Sequence, residues 1–115
     1  ALETPAELFR RVLEINVTGT FLCARAAGRA MRAAGGGAIV TLGSISGLLG
    51  GRGRVAYGAS KGAVVNMTRA LAVDLARHGI RANCLCPGPV ETPLVASVMT
   101  PAQRAQIARR VPMRR

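Results

Sequence analysis

The chain has one tyrosine and one lysine, and they sit four residues apart in Tyr57-Gly58-Ala59-Ser60-Lys61; the other fifteen basic residues are all arginine. Four residues along a helix bring two side chains to one face. An ammonium one turn from a phenol favours the phenolate. A phenol that can give and take a proton is a general acid/base. Taken alone, the pair fits a half-buried packing tyrosine beside a solvated lysine better than a catalytic pair. Thirteen residues before Tyr57 stands Ser44, at the end of the apolar run Gly37-Ala38-Ile39-Val40-Thr41-Leu42-Gly43. That run would carry Ser44 out at its C-terminal edge.

The elements that must position these residues can be read from periodicity. The run 38–42 is short, β-branched and bounded by glycine, which predicts a buried strand. Its C-terminal edge is where open α/β sheets place their sites. A second strand is expected over 81–86, after the helix-ending Gly79 and before the turn Pro87-Gly88-Pro89. Thr4-Pro5-Ala6-Glu7 reads as a capping box with Pro at the first helical position. It opens a helix over 5–33 whose apolar stripe is Leu8, Val12, Ile15, Gly19, Leu22 and Ala26. Asn16-Val17-Thr18-Gly19 interrupts that helix with a buried amide. Gly35-Gly36-Gly37 ends it. The second long helix is expected over 55–78, with Val64, Met67, Leu71 and Leu75 as its apolar line. His78 precedes Gly79, the expected left-handed cap, where a basic side chain suits the helix dipole. Two short helices, 92–99 and 101–110, meet at Thr100-Pro101.

In combination these motifs resemble the classical short-chain dehydrogenase/reductases, from Leu8 to Thr92 with a continuation toward Arg115. Asn16, Ser44, Tyr57 and Lys61 match that family's catalytic tetrad in order and spacing. Ile80-Arg81-Ala82-Asn83 followed by Pro87-Gly88 resembles the segment leading to the nicotinamide. The resemblance implies an α/β fold, a partial Rossmann-like doubly wound parallel sheet with two strands, two long helices and short helices. It implies hydride transfer between NADP or NAD and a small carbonyl or alcohol, with Tyr57 as general acid/base. Lys61 would support the phenolate and reach the nicotinamide ribose, Ser44 would bond the substrate oxygen, and Asn16 would hold a water leading to Lys61. Tyr57, Lys61, Pro87, Gly88, Val90 and Thr92 would line the cofactor. Ser46 is a rival for the serine role, two residues off the usual spacing. Among members, 3-oxoacyl-carrier-protein reductases look most similar through Leu42-Gly43-Ser44 and 56–61. Such enzymes pair into homodimers or homotetramers, here through helices 5–33 and 55–78.

The family's Gly-rich pyrophosphate turn and its Asn-Asn-Ala-Gly strand end have no match here. Residues 1–115 therefore read as one incomplete domain, the catalytic half of a larger enzyme. Such a piece would be inactive by itself. A truncated relative that serves only as an interaction segment is the alternative. Gly51-Arg52-Gly53-Arg54-Val55-Ala56 fits a dinucleotide pattern, but no strand is expected to run into it.

Composition narrows the classes further. Half the residues are hydrophobic, enough for a packed core rather than a disordered chain. No apolar run is long enough for a membrane span. The net charge is +11, yet the arginines are scattered and only three residues are aromatic, so nucleic-acid bases have almost nothing to stack on. A basic nucleic-acid-binding module is thus the weaker alternative. The three cysteines include no Cys-x-x-Cys pair. Cys84 and Cys86 would share one strand face as small core residues, Cys23 would be helix packing, and no metal site is expected. A reducing, cytoplasmic setting fits.

Overall fold

The structure, a computed structural model, describes residues 1–113; Arg114 and Arg115, the last of the scattered arginines, lie outside the described residues. Its elements run α1 (Ala6–Leu13), a π-helical turn (Glu14–Thr18), α2 (Gly19–Ala33), β1 (Gly37–Leu42), a 3-10 turn (Ile45–Gly47), α3 (Val55–Ala76), β2 (Ile80–Leu85), α4 (Pro93–Val98) and α5 (Pro101–Arg110).

The first helix departs from expectation at its start. Pro5 is the N-cap rather than the first helical residue, and no side chain caps the helix. Thr4 therefore falls one position outside the cap, too early to reach the orphan amides. Glu7 instead pairs with Arg10 at 3.3 Å on the surface.

The interruption at Asn16 is a π turn, closed by the Gly19 amide on the Glu14 carbonyl. Such a turn holds one extra residue. One extra residue rotates everything beyond it by about 100° around the axis. This is why the expected stripe does not carry through into α2: Leu22 is exposed, and the residues that α2 buries are Ala24 and Gly28; Leu8 and Ile15, before and within the turn, are exposed as well. Cys23 is also exposed, not packed.

β1 and β2 pair in parallel, in register from Gly37 opposite Ile80 to Leu42 opposite Leu85, with α3 as the crossover. Alternation sends Ile39 and Thr41 of β1 and Ile80 of β2 to the helical side. There Ala24, Ile39 and Ile80 are buried against Met31, Leu71, Leu75 and Ala82. The other face exposes Val40 and Leu42, each at 60%. Gly79, at φ +69°, turns the chain from α3 into β2, and its carbonyl accepts from the Gly37 amide at 3.2 Å. Any side chain would be strained in that conformation.

α3 ends at Ala76, two residues before His78, which accepts from Arg77 Nε at 3.2 Å in the turn that follows. Its buried face is Ala56, Ser60, Val64, Val65 and Thr68, more polar than the expected line. Thr92 and Thr100 are the N-caps of α4 and α5, and Thr100 forms a full capping box with Gln103.

Two contacts fix β1 and its following loop on α3. Thr68 Oγ1 donates to the Val64 carbonyl at 2.7 Å, so Thr41 Oγ1 is the donor in the 2.6 Å bond between the two threonines. Removing the acceptor strands a buried donor, whereas removing both hydroxyls does not. Thr68→Val should therefore cost about 1–3 kcal/mol, and Thr41→Val,Thr68→Val should recover most of it. Urea midpoints for the variants measure this; an additive double variant would refute the assigned donor.

The second contact is between backbones. A Cβ on Gly47 would stand 2.5 Å from the carbonyl carbon of Lys61 and 2.7 Å from the Gly62 nitrogen. Neither atom can give way. Gly47→Ala should lower stability by about 1–3 kcal/mol, the usual range for overpacking. Gly50→Ala, where a Cβ meets nothing within 4 Å, should be neutral or mildly stabilising in the same melting experiment.

Candidate active site

The 3-10 turn begins because Ser44, in extended conformation, caps it: its Oγ accepts from the Ser46 amide at 3.1 Å. That use leaves the hydroxyl hydrogen free to donate. Ser44 is buried at the C-terminal end of β1. Ser46, the rival serine, has its Oγ taken by the Arg54 guanidinium at 3.0 Å.

The loop then lies on α3. Gly47 abuts Lys61 and Gly62, and a Cβ on Gly58 would stand 3.0 Å from the Ser46 carbonyl. This brings the helical turn carrying Tyr57 and Lys61 beside the Ser44 cap. Lys61 Nζ donates to the Leu42 carbonyl at 2.8 Å. The same ammonium stands 5.9 Å from the centroid of the Tyr57 ring. A cation at that distance from a ring is attracted by its negative face. Tyr57 is 40% exposed, so its hydroxyl is open to a ligand.

Asn16 arrives from the π turn. Its Nδ2 donates to Ser60 Oγ at 3.0 Å, and Ser60 Oγ donates to the Tyr57 carbonyl at 2.8 Å. Ser60 is 0% exposed. It is the residue that sequence reasoning missed: a serine inside a helix carries no signal, and only its full burial between two partners reveals it. Asn16 is thus joined to α3 directly, next to Lys61 in sequence.

Beyond β2 the Pro87 carbonyl accepts from the Ile45 amide at 3.1 Å, drawing that turn against the Ser44 loop. Around Gly88 the nearest atom to an added Cβ is Ile45 Cδ1, at 3.9 Å. Val90 is exposed. Thr92 is engaged at its own helix start, where Oγ1 accepts from the Val95 amide at 3.2 Å. The structure therefore joins Asn16, Ser44, Tyr57, Lys61 and Pro87 through hydrogen bonds and close contacts, and leaves Gly88, Val90 and Thr92 on the neighbouring exposed turn.

Elsewhere, Gly51-Arg52-Gly53 is a turn before α3 with no strand running into it. Among the described residues no group of three or more His, Cys, Asp or Glu side chains could hold a metal. No helix among them is long and apolar enough to cross a membrane.

The family described as enoyl-(acyl carrier protein) reductase matches residues 1–115. The 2-(R)-hydroxypropyl-CoM dehydrogenase of Xanthobacter autotrophicus is 43% identical over 112 residues, covering 96% of this chain and 45% of that protein. The L-tagatose-forming galactitol 2-dehydrogenase of Cereibacter sphaeroides is 53% identical over 94 residues, covering 80% and 37%. A 7α-hydroxysteroid dehydrogenase solved with NADH and 7-oxo glycochenodeoxycholic acid superposes with a TM-score of 0.93 at 32% identity, over 98% of this chain and 44% of that one. NAD+-bound xylitol dehydrogenase superposes at 0.87 with 35% identity, over 99% and 50%. The chain thus spans half or less of the proteins it matches. With the parallel β1–α3–β2 unit in place, and the family match running the whole length of the chain, this protein belongs to the short-chain dehydrogenase/reductase family.

Proposed function

We propose that residues 1–115 form the catalytic half of a longer NAD(P)-dependent oxidoreductase domain that interconverts a small carbonyl compound and its alcohol. The observation that carries this reading is the Lys61 ammonium, held on the Leu42 carbonyl at 2.8 Å and poised over the Tyr57 ring beside the Ser44 cap.

The residues present fit the nicotinamide end of NADP or NAD. Lys61 keeps two N–H donors beyond its bond to Leu42, enough for a ribose diol. The backbone at Gly88 is open to a flat ring, and Val90 and Thr92 flank it. Thr92 Oγ1 spends an acceptor site on its cap and keeps its hydrogen for a carboxamide oxygen. When bound, the nicotinamide supplies or accepts the hydride.

The chain's own residues manage the oxygen. In reduction Tyr57 gives its phenolic proton to the carbonyl oxygen as negative charge develops there; in oxidation the phenolate takes the alcohol proton. Lys61 stabilises the phenolate electrostatically in either direction. Ser44 donates its free hydroxyl hydrogen to the same oxygen, so its contribution grows as charge builds. Asn16, fixed on Ser60, keeps the π turn against α3 and leaves its side-chain oxygen to order a water on the path between Lys61 and solvent. Three free thiols suit a reducing cytoplasm. Exposed Phe21, Leu22 and Val73 on α2 and α3 suit pairing with a second copy into a homodimer or homotetramer.

The test is turnover of the longer protein, followed by the absorbance of reduced nicotinamide. Tyr57→Phe should keep the fold and lose at least 10²-fold, the lower range for a missing general acid/base. Ser44→Ala should lose about 10²-fold or more in kcat. Ser46→Ala should lose far less, since Ser46 stands two residues off the family's spacing and Ser44 is the serine buried at the end of β1. The reverse ranking of the two serines would transfer the role to Ser46, and an active Tyr57→Phe enzyme would end the proposal.

A further inference from the structure

Cys84 and Cys86 take no part in the proton chemistry above, yet they form the tightest cluster of nucleophiles in the described residues. Residues two apart on a strand share a face. Both sulfurs sit over Gly43, where an added Cβ would lie 2.9 Å from each, and they stand 4.0 Å from one another. Both thiols are free and half-buried. Small core residues do not need such an arrangement, because the alternating face elsewhere on β2 is filled by Ile80 and Ala82.

We propose that Cys84 and Cys86 are a redox pair, which a hydroperoxide converts to an intrachain disulfide and a thiol reductant reopens.

The environments of the two sulfurs differ in the sense that such a pair needs. Burial alone would raise the Cys84 thiol, but the polar groups around it, Thr41 first and then Cys86, the Gly43 backbone and Thr68, outweigh it and hold that thiol below its ordinary range. Burial pushes the Cys86 thiol up, and its bond to Cys84 and the charge there add to this, against smaller opposing pulls from the Ser44 backbone and Arg69. Cys84 is therefore the attacking thiolate and Cys86 the resolving thiol. In the first step the Cys84 sulfur attacks one peroxide oxygen, the O–O bond breaks, and the sulfenic acid forms with release of an alcohol or water. In the second, the Cys86 sulfur attacks Cys84, the S–O bond breaks, and the departing hydroxide leaves as water with the Cys86 proton. The two thiols lose two electrons and two protons, and the peroxide gains both.

The geometry sets the character of the bond. Two residues along an extended chain hold their Cα and Cβ atoms about 6.6–6.8 Å apart, the long end of the Cα range that a disulfide spans and beyond its Cβ range, so closing the bond requires the backbone at Cys86 to turn. Cys86 lies just past the end of β2, so it can tilt without breaking the ladder. A disulfide at this limit is strained and easily reduced, the property of a labile bond rather than a structural one. Closing it would also pull on Leu85 and Pro87, whose carbonyls hold the Gly43 and Ile45 amides on either side of Ser44.

Cys23 is exposed, so Cys23→Ser leaves the packing intact and only the pair to react. After treatment of Cys23→Ser with tert-butyl hydroperoxide, thiol titration should show both thiols lost, and intact mass should fall by two hydrogens with no dimer. Peptide mapping should link Cys84 to Cys86, and dithiothreitol should restore both thiols. In the Cys23→Ser,Cys86→Ser variant, dimedone should trap a sulfenic acid at Cys84. Two persistent thiols in Cys23→Ser under a dose that oxidises Cys23 in the unaltered chain would overturn the proposal. So would oxidation that yields only intermolecular disulfides. The readout is chemical, so neither result depends on the dehydrogenase reading.

Discussion

The loop leaving β1 touches the backbone of α3 with no side chain between them, and the chemistry of the chain depends on that contact. Gly47 and Gly62 face each other, and an added Cβ on Gly62 would already come within 3.3 Å of the Gly47 carbonyl oxygen. The approach lets a backbone carbonyl, Leu42, come within 2.8 Å of a side chain on the helix, Lys61. It also seats the Ser44 cap one helical turn from Tyr57. A methyl group at Gly47 would separate loop and helix, and Ser44 would move with the loop while Tyr57 and Lys61 stayed with the helix. Glycine here is a distance constraint between the proposed catalytic groups rather than a source of freedom.

Hydrogen bonds complete what so small a core could not do alone. Among the described residues the buried apolar side chains are few: Ala24, Ile39 and Ile80 form one cluster with half-buried neighbours, and α3 adds Ala56, Val64 and Val65. Dispersion and hydrophobic burial are non-directional, so a cluster of this size resists rotation of α3 about its axis only weakly. Directional bonds resist it strongly. Thr41 grips Thr68 near the middle of α3, Ser60 takes Asn16 two turns earlier, and Lys61 takes Leu42 on the adjoining side. Three bonds from two elements, β1 and the π turn, fix the helix in azimuth, and that setting aims Tyr57. The polar buried face of α3 therefore serves orientation, and its cost is limited because each hydroxyl has a partner.

The strands and α3 were legible because their signals are local: a β-branched run between glycines, a helical stretch ended by Gly79. The grouping of Asn16, Ser44, Tyr57 and Lys61 around one loop and helix could be expected because spacing between residue types survives without coordinates, and the break at Asn16 showed as an amide inside an apolar helix. The stripe of the first helix was not, because a π turn shifts the phase of everything after it and leaves no mark in composition. The cap at Thr4 failed by one position, since Pro5 occupied the cap itself, while the identical chemistry at Thr100 and Gln103 succeeded with Pro101 one step inside. Lys61's partner could not be foreseen, because a backbone carbonyl belongs to no residue type. Ser60 lacked any signal for the same reason that it works: one hydroxyl, small enough to bury, bridging two elements 44 residues apart in its bond to Asn16.

These contacts also explain a compositional oddity. Fifteen cations in the chain are arginine, yet the one on the Tyr57 face is lysine. The position asks for a donor that meets a single carbonyl end-on, under a ring, beside a crossing where Gly47 leaves no room. An ammonium is compact and its three donors rotate freely, so one can serve Leu42 while two face outward. A guanidinium is planar, and its donors are locked in one fork suited to paired oxygens. Placed here it would satisfy one carbonyl with half of that fork and push the rest into the loop. Elsewhere on the surface the two cations are nearly equivalent, and the chain uses arginine throughout. Lysine remains where the geometry of a single bond decides between them.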